Sequence, residues 1–216
     1  MRGILSFTLP NPRIFSAMVI VVKIIRPFSF ILKKFIKNSL KLMPKKIPSK
    51  KIKIQNIYAP SEKKKIARVA LLTGCVQRVI SPEINESTIR LLNRHGVEVV
   101  VLPKIDCCGS LNHHLGKKDL AHNSFIKNIS LWYEEYSTNG LDAIISNTSG
   151  CGTTLKDYGF IFRNNKDLKK KAKKISELTK DISEYLDQNL KLNFLNKDEK
   201  YKIAYHSACS MQHGQK

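Results

Sequence analysis

Residues 67–75 read ARVALLTGC, and this stretch decides the fold because a largely apolar run ends there in a glycine and a cysteine. The run Ala67–Thr73 predicts a buried β-strand that Gly74 ends. The same kind of apolar run recurs further along the chain. It predicts a second strand at Val97–Leu102, stopped by Pro103, a third at Leu141–Asn147 and a fourth at Lys202–His206.

Helical periodicity fills the segments between these strands. We expect helices at Ile84–His95, which ends at Gly96, at Asp119–Ser137 and at Asp167–Leu190. Their predicted buried stripes are Ile84, Thr88, Leu91 and Leu92; Leu120, Ile126, Ile129 and Tyr133; and Ile175, Leu178, Ile182, Tyr185 and Leu186. Apolar strands that alternate with helices predict an α/β fold with βαβ units and a parallel sheet. We place the domain boundaries at 1–60 (a basic helical leader and linker), 61–196 and 197–216.

Every cysteine follows the carboxyl end of a predicted strand. Cys75 follows the first strand, Cys107 and Cys108 the second, Cys151 the third and Cys209 the fourth. In open α/β sheets this edge is where ligands bind, because strand ends and helix starts converge there. Residues far apart in sequence are therefore expected to meet at one site.

Thiolates at such an edge suit zinc, copper(I) or an iron–sulfur cluster. The adjacent pair Cys107-Cys108 argues against a simple zinc site, whose cysteines usually stand two to four residues apart. Buried structural cysteines and a metal-free dithiol redox site stay open as alternatives. His113, His114, His206 and His213 are interpreted first as loop residues and second as additional ligands.

Positive charge is concentrated at the start of the chain. The formal net charge is +21, and residues 1–60 hold 13 of the 38 basic residues and none of the 17 acidic ones. Ile14, Met18, Val21, Val22 and Ile25 fall near one helical face there, and Lys33, Lys34, Lys37 and Lys41 follow on a second amphipathic stretch. Two interpretations stay open: a helical segment packed on a neighbouring domain or subunit, and a basic helix lying on an anionic membrane surface.

The cysteine count and the basic runs bear on compartment and partner. Five cysteines are too few for a disulfide framework in 216 residues, so we expect a cytoplasmic chain with reduced thiols. The apolar run from Ile14 to Val22 is too short to span a bilayer. Aromatic residues are not interleaved with the basic runs, so nucleic acid is not the expected partner. A zinc or thiol module with a basic tail for nucleic acid or membrane is the alternative from another class.

The cysteine motifs resemble a known family. Gly74-Cys75, then Cys107-Cys108-Gly109 and the stretch SGCG at 149–152 are similar to the cysteine-rich CCG domain. That domain occurs in heterodisulfide reductase, lactate-utilisation proteins, the anaerobic glycerol-3-phosphate dehydrogenase small subunit and the glycolate oxidase iron–sulfur subunit. The stretches LTGCVQ (72–77), NTSGCG (147–152), KDYG (156–159) and YHSACSMQHGQK (205–216) resemble the glycolate oxidase member, and LPNPR (9–13) resembles its inter-domain segment.

This resemblance implies an electron-transfer subunit without catalytic residues of its own. It implies an iron–sulfur cluster, of the 4Fe-4S or the non-cubane type, on Cys75, Cys107, Cys108 and Cys151, with Cys209 beginning a second site. A partner subunit would carry FAD and oxidise glycolate or lactate, and the electrons would pass on towards quinone. A peripheral location at the inner face of the plasma membrane is the expectation that the leader adds, and the related CCG enzymes remain alternatives.

The chain departs from the family pattern in two respects. Thr148 stands where the first thiol of a Cys-x-x-Cys pair often stands, which leaves four thiols in the first repeat. The family member also has two ferredoxin-type motifs before the leader and a full second CCG repeat. We therefore expect this sequence to be an incomplete piece of a longer subunit.

Overall fold

The structure is a computed structural model that describes residues 2–27, 57–60, 64–105, 107–192 and 202–214. Five strands lie at β1 Ile57–Tyr58, β2 Ala67–Leu72, β3 Val97–Val100, β4 Ala143–Ser146 and β5 Thr179–Asp181. The helices before β4 are α1 Arg2–Thr8, α2 Pro12–Ile25, α3 Gln77–Ile80, α4 Pro82–Arg94, α5 Ser110–His114 and α6 Lys118–Asn139. Those after it are α7 Ser149–Ile161, α8 Lys169–Leu178, α9 Ile182–Asn189 and α10 Cys209–Gly214.

The strand order β1-β3-β2-β4-β5 creates a crevice at the carboxyl edge of the sheet. β2, β3, β4 and β5 are parallel, and only β1 runs antiparallel, against β3. The chain leaves β2 towards β3 on one side, whereas it leaves β4 towards β5 on the other. The loops after β2 and β4 therefore diverge, and this divergence is the switch point at which open α/β sheets bind ligands. The predicted α/β parallel-sheet class is confirmed.

Apolar side chains cover both faces of the sheet. Along β2, Ala70 and Leu72 face one layer while Val69 and Leu71 face the other, as the two-residue period of a strand requires. The first layer is filled from α6, α7 and α8 by Phe125, Ile129, Trp132, Leu155, Tyr158 and Ile175. The second is filled from α4 and α9 by Ile89, Leu92 and Tyr185. Strands buried on both faces explain why their sequences are recognisable as apolar runs.

The single helix predicted at Asp167–Leu190 is wrong. The chain forms α8, then the three-residue strand β5, then α9. Asp181 starts α9 with a capping box, because its side chain accepts from the backbone N–H of Ser183 while Glu184 reaches back to the Asp181 N–H. β5 pairs in parallel with β4, so the fourth parallel strand is Thr179–Asp181.

Two further predictions need correction. Lys202–His206 is not a strand; it has no regular structure and its side chains are exposed. In α6 the predicted stripe is partly wrong, since Leu120 and Ile126 are exposed. The helix instead buries Ala121, Phe125, Asn128, Ile129 and Trp132.

The leader forms two helices where the structure describes it. α2 begins after Asn11, whose side chain accepts from the N–H groups of Arg13 and Ile14. Its buried face carries Phe15 and Val19, whereas the predicted Val21 and Ile25 are exposed. No single helix of the described residues is long and apolar enough to cross a membrane, although α1 and α2, bent by 113° at their junction, pass that test as a pair. The predicted stretch with Lys33, Lys34, Lys37 and Lys41 lies outside the described residues, and the predicted linker contains β1.

Candidate metal centre

Four of the five cysteines form a row at the switch point. Cys75 lies in the loop after β2, Cys107 and Cys108 precede α5, and Cys151 lies in the first turn of α7. The Cys75 thiol contacts Cys107, and Cys107 contacts its neighbour Cys108. The Cys108 thiol donates to the Cys151 sulfur at 3.1 Å. The predicted convergence of Cys75, Cys107, Cys108 and Cys151 is therefore what the fold produces.

Mutual proximity and burial keep the thiols of Cys75, Cys107 and Cys108 protonated in the metal-free chain. The hydrogen bond with Cys107, with burial, raises the pKa of Cys75 above its ordinary 9.0. Contact with Cys108 raises the pKa of Cys107 to about 12, although the Cys75 hydrogen bond acts the other way. The Cys107 contact lowers the pKa of Cys108, but Cys151 and burial outweigh it, and that pKa lies well above 9.0. A bound cation reverses this balance, because a coordinating thiol is deprotonated.

Backbone N–H groups point at the central sulfurs. Gly109 N–H donates to Cys107 Sγ and Ser110 N–H donates to Cys108 Sγ, each at 3.4 Å. Both donors are available because Gly109 adopts the left-handed conformation, with φ of +84°. Such donors stabilise negative charge on cluster sulfurs.

A buried polar latch fixes the Cys107-Cys108 backbone. The Tyr158 hydroxyl, on α7, donates to the Cys108 carbonyl at 2.6 Å. The Asn128 amide, on α6, donates to the Cys107 carbonyl at 2.8 Å and to the Tyr158 hydroxyl at 3.1 Å. Burial raises the pKa of Tyr158 well above 10.0, so it stays a neutral donor. Two helices thus hold the carbonyls of the adjacent cysteines in place.

A second network ties the loop after β2 to the loop after β4. The Gln77 amide donates to Asn147 at 2.8 Å and to Asn85 at 3.0 Å, and Asn147 donates to Asn85 at 2.9 Å. Asn85 is fully buried and anchors the set by donating to the Thr73 carbonyl. The Thr148 hydroxyl donates to Gln77 at 2.7 Å, so it is directed into this network. The network fixes the two diverging loops that carry Cys75 and Cys151.

The row fits a cluster better than a single ion. Among the described residues, no group of three or more His, Cys, Asp or Glu side chains is arranged to hold one metal ion. Four thiols in sequential contact instead bring their sulfurs together, and adjacent cysteines can then bind different metals of one cluster. Thiolate ligands with backbone donors are what iron–sulfur clusters use.

Cys209 and the four histidines lie differently. Cys209 is exposed at the start of α10, and none of the sulfur contacts seen in the described part of the chain includes it. Ser210, next to it, donates to Ser149 at 2.8 Å, so α10 lies against the start of α7. His113, His114, His206 and His213 are exposed. Cys209 as the beginning of a second site stays a prediction.

Sequence reasoning misses the polar residues that position the cysteines. No sequence pattern points to Asn128 as a buried donor. Gln77, Asn147 and Tyr158 lie within the stretches that resemble the family, but nothing in those stretches assigns them a role.

Comparisons with known proteins agree with this geometry. Residues 69–156, which include the four cysteines of the row, match the cysteine-rich domain family CCG. Over its whole length the chain is 31% identical to the glycolate oxidase iron-sulfur subunit of Escherichia coli (strain K12), of which it covers 49%. It is 28% identical, over 67% of its length, to the probable glycolate oxidase iron-sulfur subunit of Bacillus subtilis (strain 168), of which it covers 32%.

A more distant relative has a different name. Lactate utilization protein A of Geobacillus sp. (strain WCH70) is 23% identical over 67% of the chain, which covers 58% of that protein. The chain thus spans about half or less of the glycolate oxidase subunits that it matches. No solved structure matches it significantly.

Proposed function

The chain contains a cysteine-rich CCG domain and is related along its length to a glycolate oxidase iron-sulfur subunit, and from this premise we propose that it carries electrons for a 2-hydroxy acid dehydrogenase. The observation that supports this most directly is the row Cys75–Cys107–Cys108–Cys151 at the switch point. We assign the cluster to these four thiolates. A flavin subunit would supply the electrons, and quinone would accept them.

A bound iron–sulfur cluster would supply one-electron chemistry, and this chain's residues set its surroundings. Four sulfurs provide the ligands, and Gly109 N–H and Ser110 N–H donate to two of them. Cys108 is 2% exposed and Cys107 is 7% exposed, so water reaches these two sulfurs poorly, whereas Cys75 and Cys151 are partly exposed. Ligation, hydrogen bonds to sulfur and burial are the means by which proteins tune a cluster's potential.

The surroundings of the row support electron transfer rather than acid–base catalysis. Four neutral side chains surround the row: Ser110 and Thr154, hydrogen-bonded to each other at 2.9 Å, and the Asn128–Tyr158 pair. A general base works best with a pKa near the operating pH. Burial instead raises the pKa of Tyr158. The oxidation of the substrate is therefore assigned to the flavin partner.

Anaerobic reconstitution tests the proposal. The chain, supplied with Fe²⁺ and sulfide, should bind both in stoichiometric amounts and show a visible absorption that dithionite bleaches. Cys107→Ser should abolish this absorption, whereas the matched variant Cys209→Ser should retain it. Binding of zinc without sulfide, or equal loss in both variants, would contradict the assignment.

The similarity to lactate utilization protein A favours a second candidate, in which the electrons come from lactate. The two differ only in the donor. Reduction of the loaded chain by a flavin dehydrogenase supplied with glycolate, compared with lactate, separates them.

A further inference from the structure

Helix α1 buries polar side chains and exposes apolar ones, the reverse of what is usual for a helix on a protein surface in water. Its hydroxyl residues Ser6 and Thr8 are buried, and both donate to carbonyls of their own helix, those of Gly3 and Ile4. Ile4 and Phe7 are instead 64% and 66% exposed. Polar side chains bonded inward and apolar side chains turned outward are the arrangement that an apolar medium stabilises.

Helix α2 continues this surface. It packs one face, with Phe15 and Val19, on the body of the protein. Almost all the remaining positions of this helix are also apolar. The side opposite the buried face therefore carries an exposed apolar arc: Ile20, Val21, Ile24 and Ile25. A helix that is apolar all round is normally covered all round. Within the described part of the chain, this arc and the outward face of α1 are left uncovered.

Charge identifies the occupant. The exposed charged residues of the two helices, Arg2, Arg13 and Lys23, are all basic, and the first acidic residue of the sequence is Glu62. Apolar side chains rimmed by basic residues alone match a surface of anionic phospholipid, whose acyl chains take the apolar face while its headgroups attract the rim. We propose that α1 and α2 together dock the protein on an anionic membrane.

This docking surface adjoins the candidate metal centre. α2 contacts α3, which begins at Gln77, two residues after Cys75. Gln77 in turn bonds the loop that leads to Cys151. Docking through α1 and α2 would therefore take place next to the helix that follows Cys75. The inference stands on the leader helices and does not depend on the proposed electron-transfer function.

Vesicle sedimentation with the full 216-residue chain tests it. The wild type should sediment with phosphatidylglycerol-containing vesicles and much less with pure phosphatidylcholine. The double variant Phe7→Glu/Ile24→Glu should lower partitioning at least about tenfold, because it places charge in the apolar face. The double variant Ile66→Glu/Phe160→Glu is the matched control, since these side chains are 64% and 66% exposed and gain the same two charges on other surfaces. It should change partitioning less than about twofold.

Three outcomes would overturn the proposal. They are no sedimentation of the wild type with anionic vesicles at low salt, equal losses in the double variant and the control, and a dimer that the double variant dissociates while vesicles do not bind. The last outcome would assign the face to a second copy of the chain. Circular dichroism checks that the variants fold. Iron is measured in the same samples to distinguish the docking proposal from the proposed electron-transfer function. A chain that sediments without binding iron supports docking and counts only against electron transfer.

Discussion

Replacement of Gly109 by alanine should destabilise the fold more than the same replacement at Gly116. Both glycines flank α5 in the left-handed conformation, with φ of +84° and +73°. They differ in the space around a side chain. A Cβ at Gly109 would lie 2.5 Å from a ring carbon of Phe125, whereas a Cβ at Gly116 would meet no atom within 4 Å. The pair therefore separates the packing effect from the backbone effect.

The expected magnitudes follow from these contacts. The left-handed backbone costs an alanine about 1–2 kcal/mol at either position. At Gly109 the clash adds about 1–3 kcal/mol, because Phe125 is fully buried between α5 and α7 and cannot move freely. Gly109→Ala should thus lower the free energy of unfolding by about 2–5 kcal/mol, against about 1–2 kcal/mol for Gly116→Ala.

Urea unfolding of the metal-free variants measures this difference. Gly109→Ala should also reduce iron loading, because the N–H groups that reach Cys107 and Cys108 move with residue 109. Equal destabilisation by the two alanines, or full iron loading of Gly109→Ala, would refute the reasoning that Phe125 and the glycine together shape the loop.

Three further predictions concern the groups around the row. Tyr158→Phe removes the hydroxyl that donates to the Cys108 carbonyl, so urea unfolding should show a free energy of unfolding lower by about 1–3 kcal/mol. Asn85→Leu removes the donor to the Thr73 carbonyl and the acceptor of the Gln77 and Asn147 amides, and calorimetry should show a loss at least as large as that of Tyr158→Phe. In the metal-free chain at pH 8, iodoacetamide should alkylate the exposed Cys209 at least about 100-fold faster than Cys107. The pKa of about 12 keeps the Cys107 thiol protonated until the pH rises towards that value. Mass spectrometry of timed samples measures the two rates.

The placement of the cysteines could be predicted because buried parallel strands leave a strong signal. β2 and β4 are apolar runs that end at Leu72 and Ser146, and the cysteines that follow them had to share one edge. That inference needed only the direction of the strands and the sheet geometry. The structure places Cys75, Cys107, Cys108 and Cys151 at that edge, whereas the described residues just before Cys209, 202–208, form no strand.

β5 could not be predicted, because its existence depends on a partner. Thr179, Lys180 and Asp181 have no apolar pattern of their own, and they form a strand only by pairing with β4. Helical periodicity runs across them and favours one long helix. The capping box of Asp181 with Glu184 was the local signal that a new helix begins there.

The polar groups that hold the row escaped prediction for a related reason. Asn128 and Tyr158 come from different helices and meet at the Cys107-Cys108 backbone only when α6 and α7 pack on the same face of the sheet. An isolated polar residue on a helix has no periodicity that marks it as buried. Such positions become evident only from the tertiary structure.

X-ray absorption at the iron edge of the anaerobically loaded chain tests the central claim most directly. We expect a first shell of sulfur around iron and a second shell of neighbouring iron, because Cys75, Cys107, Cys108 and Cys151 would share one cluster. Both shells should disappear in Cys107→Ser and persist in Cys209→Ser. A first shell dominated by nitrogen or oxygen, or iron without an iron neighbour, would contradict it.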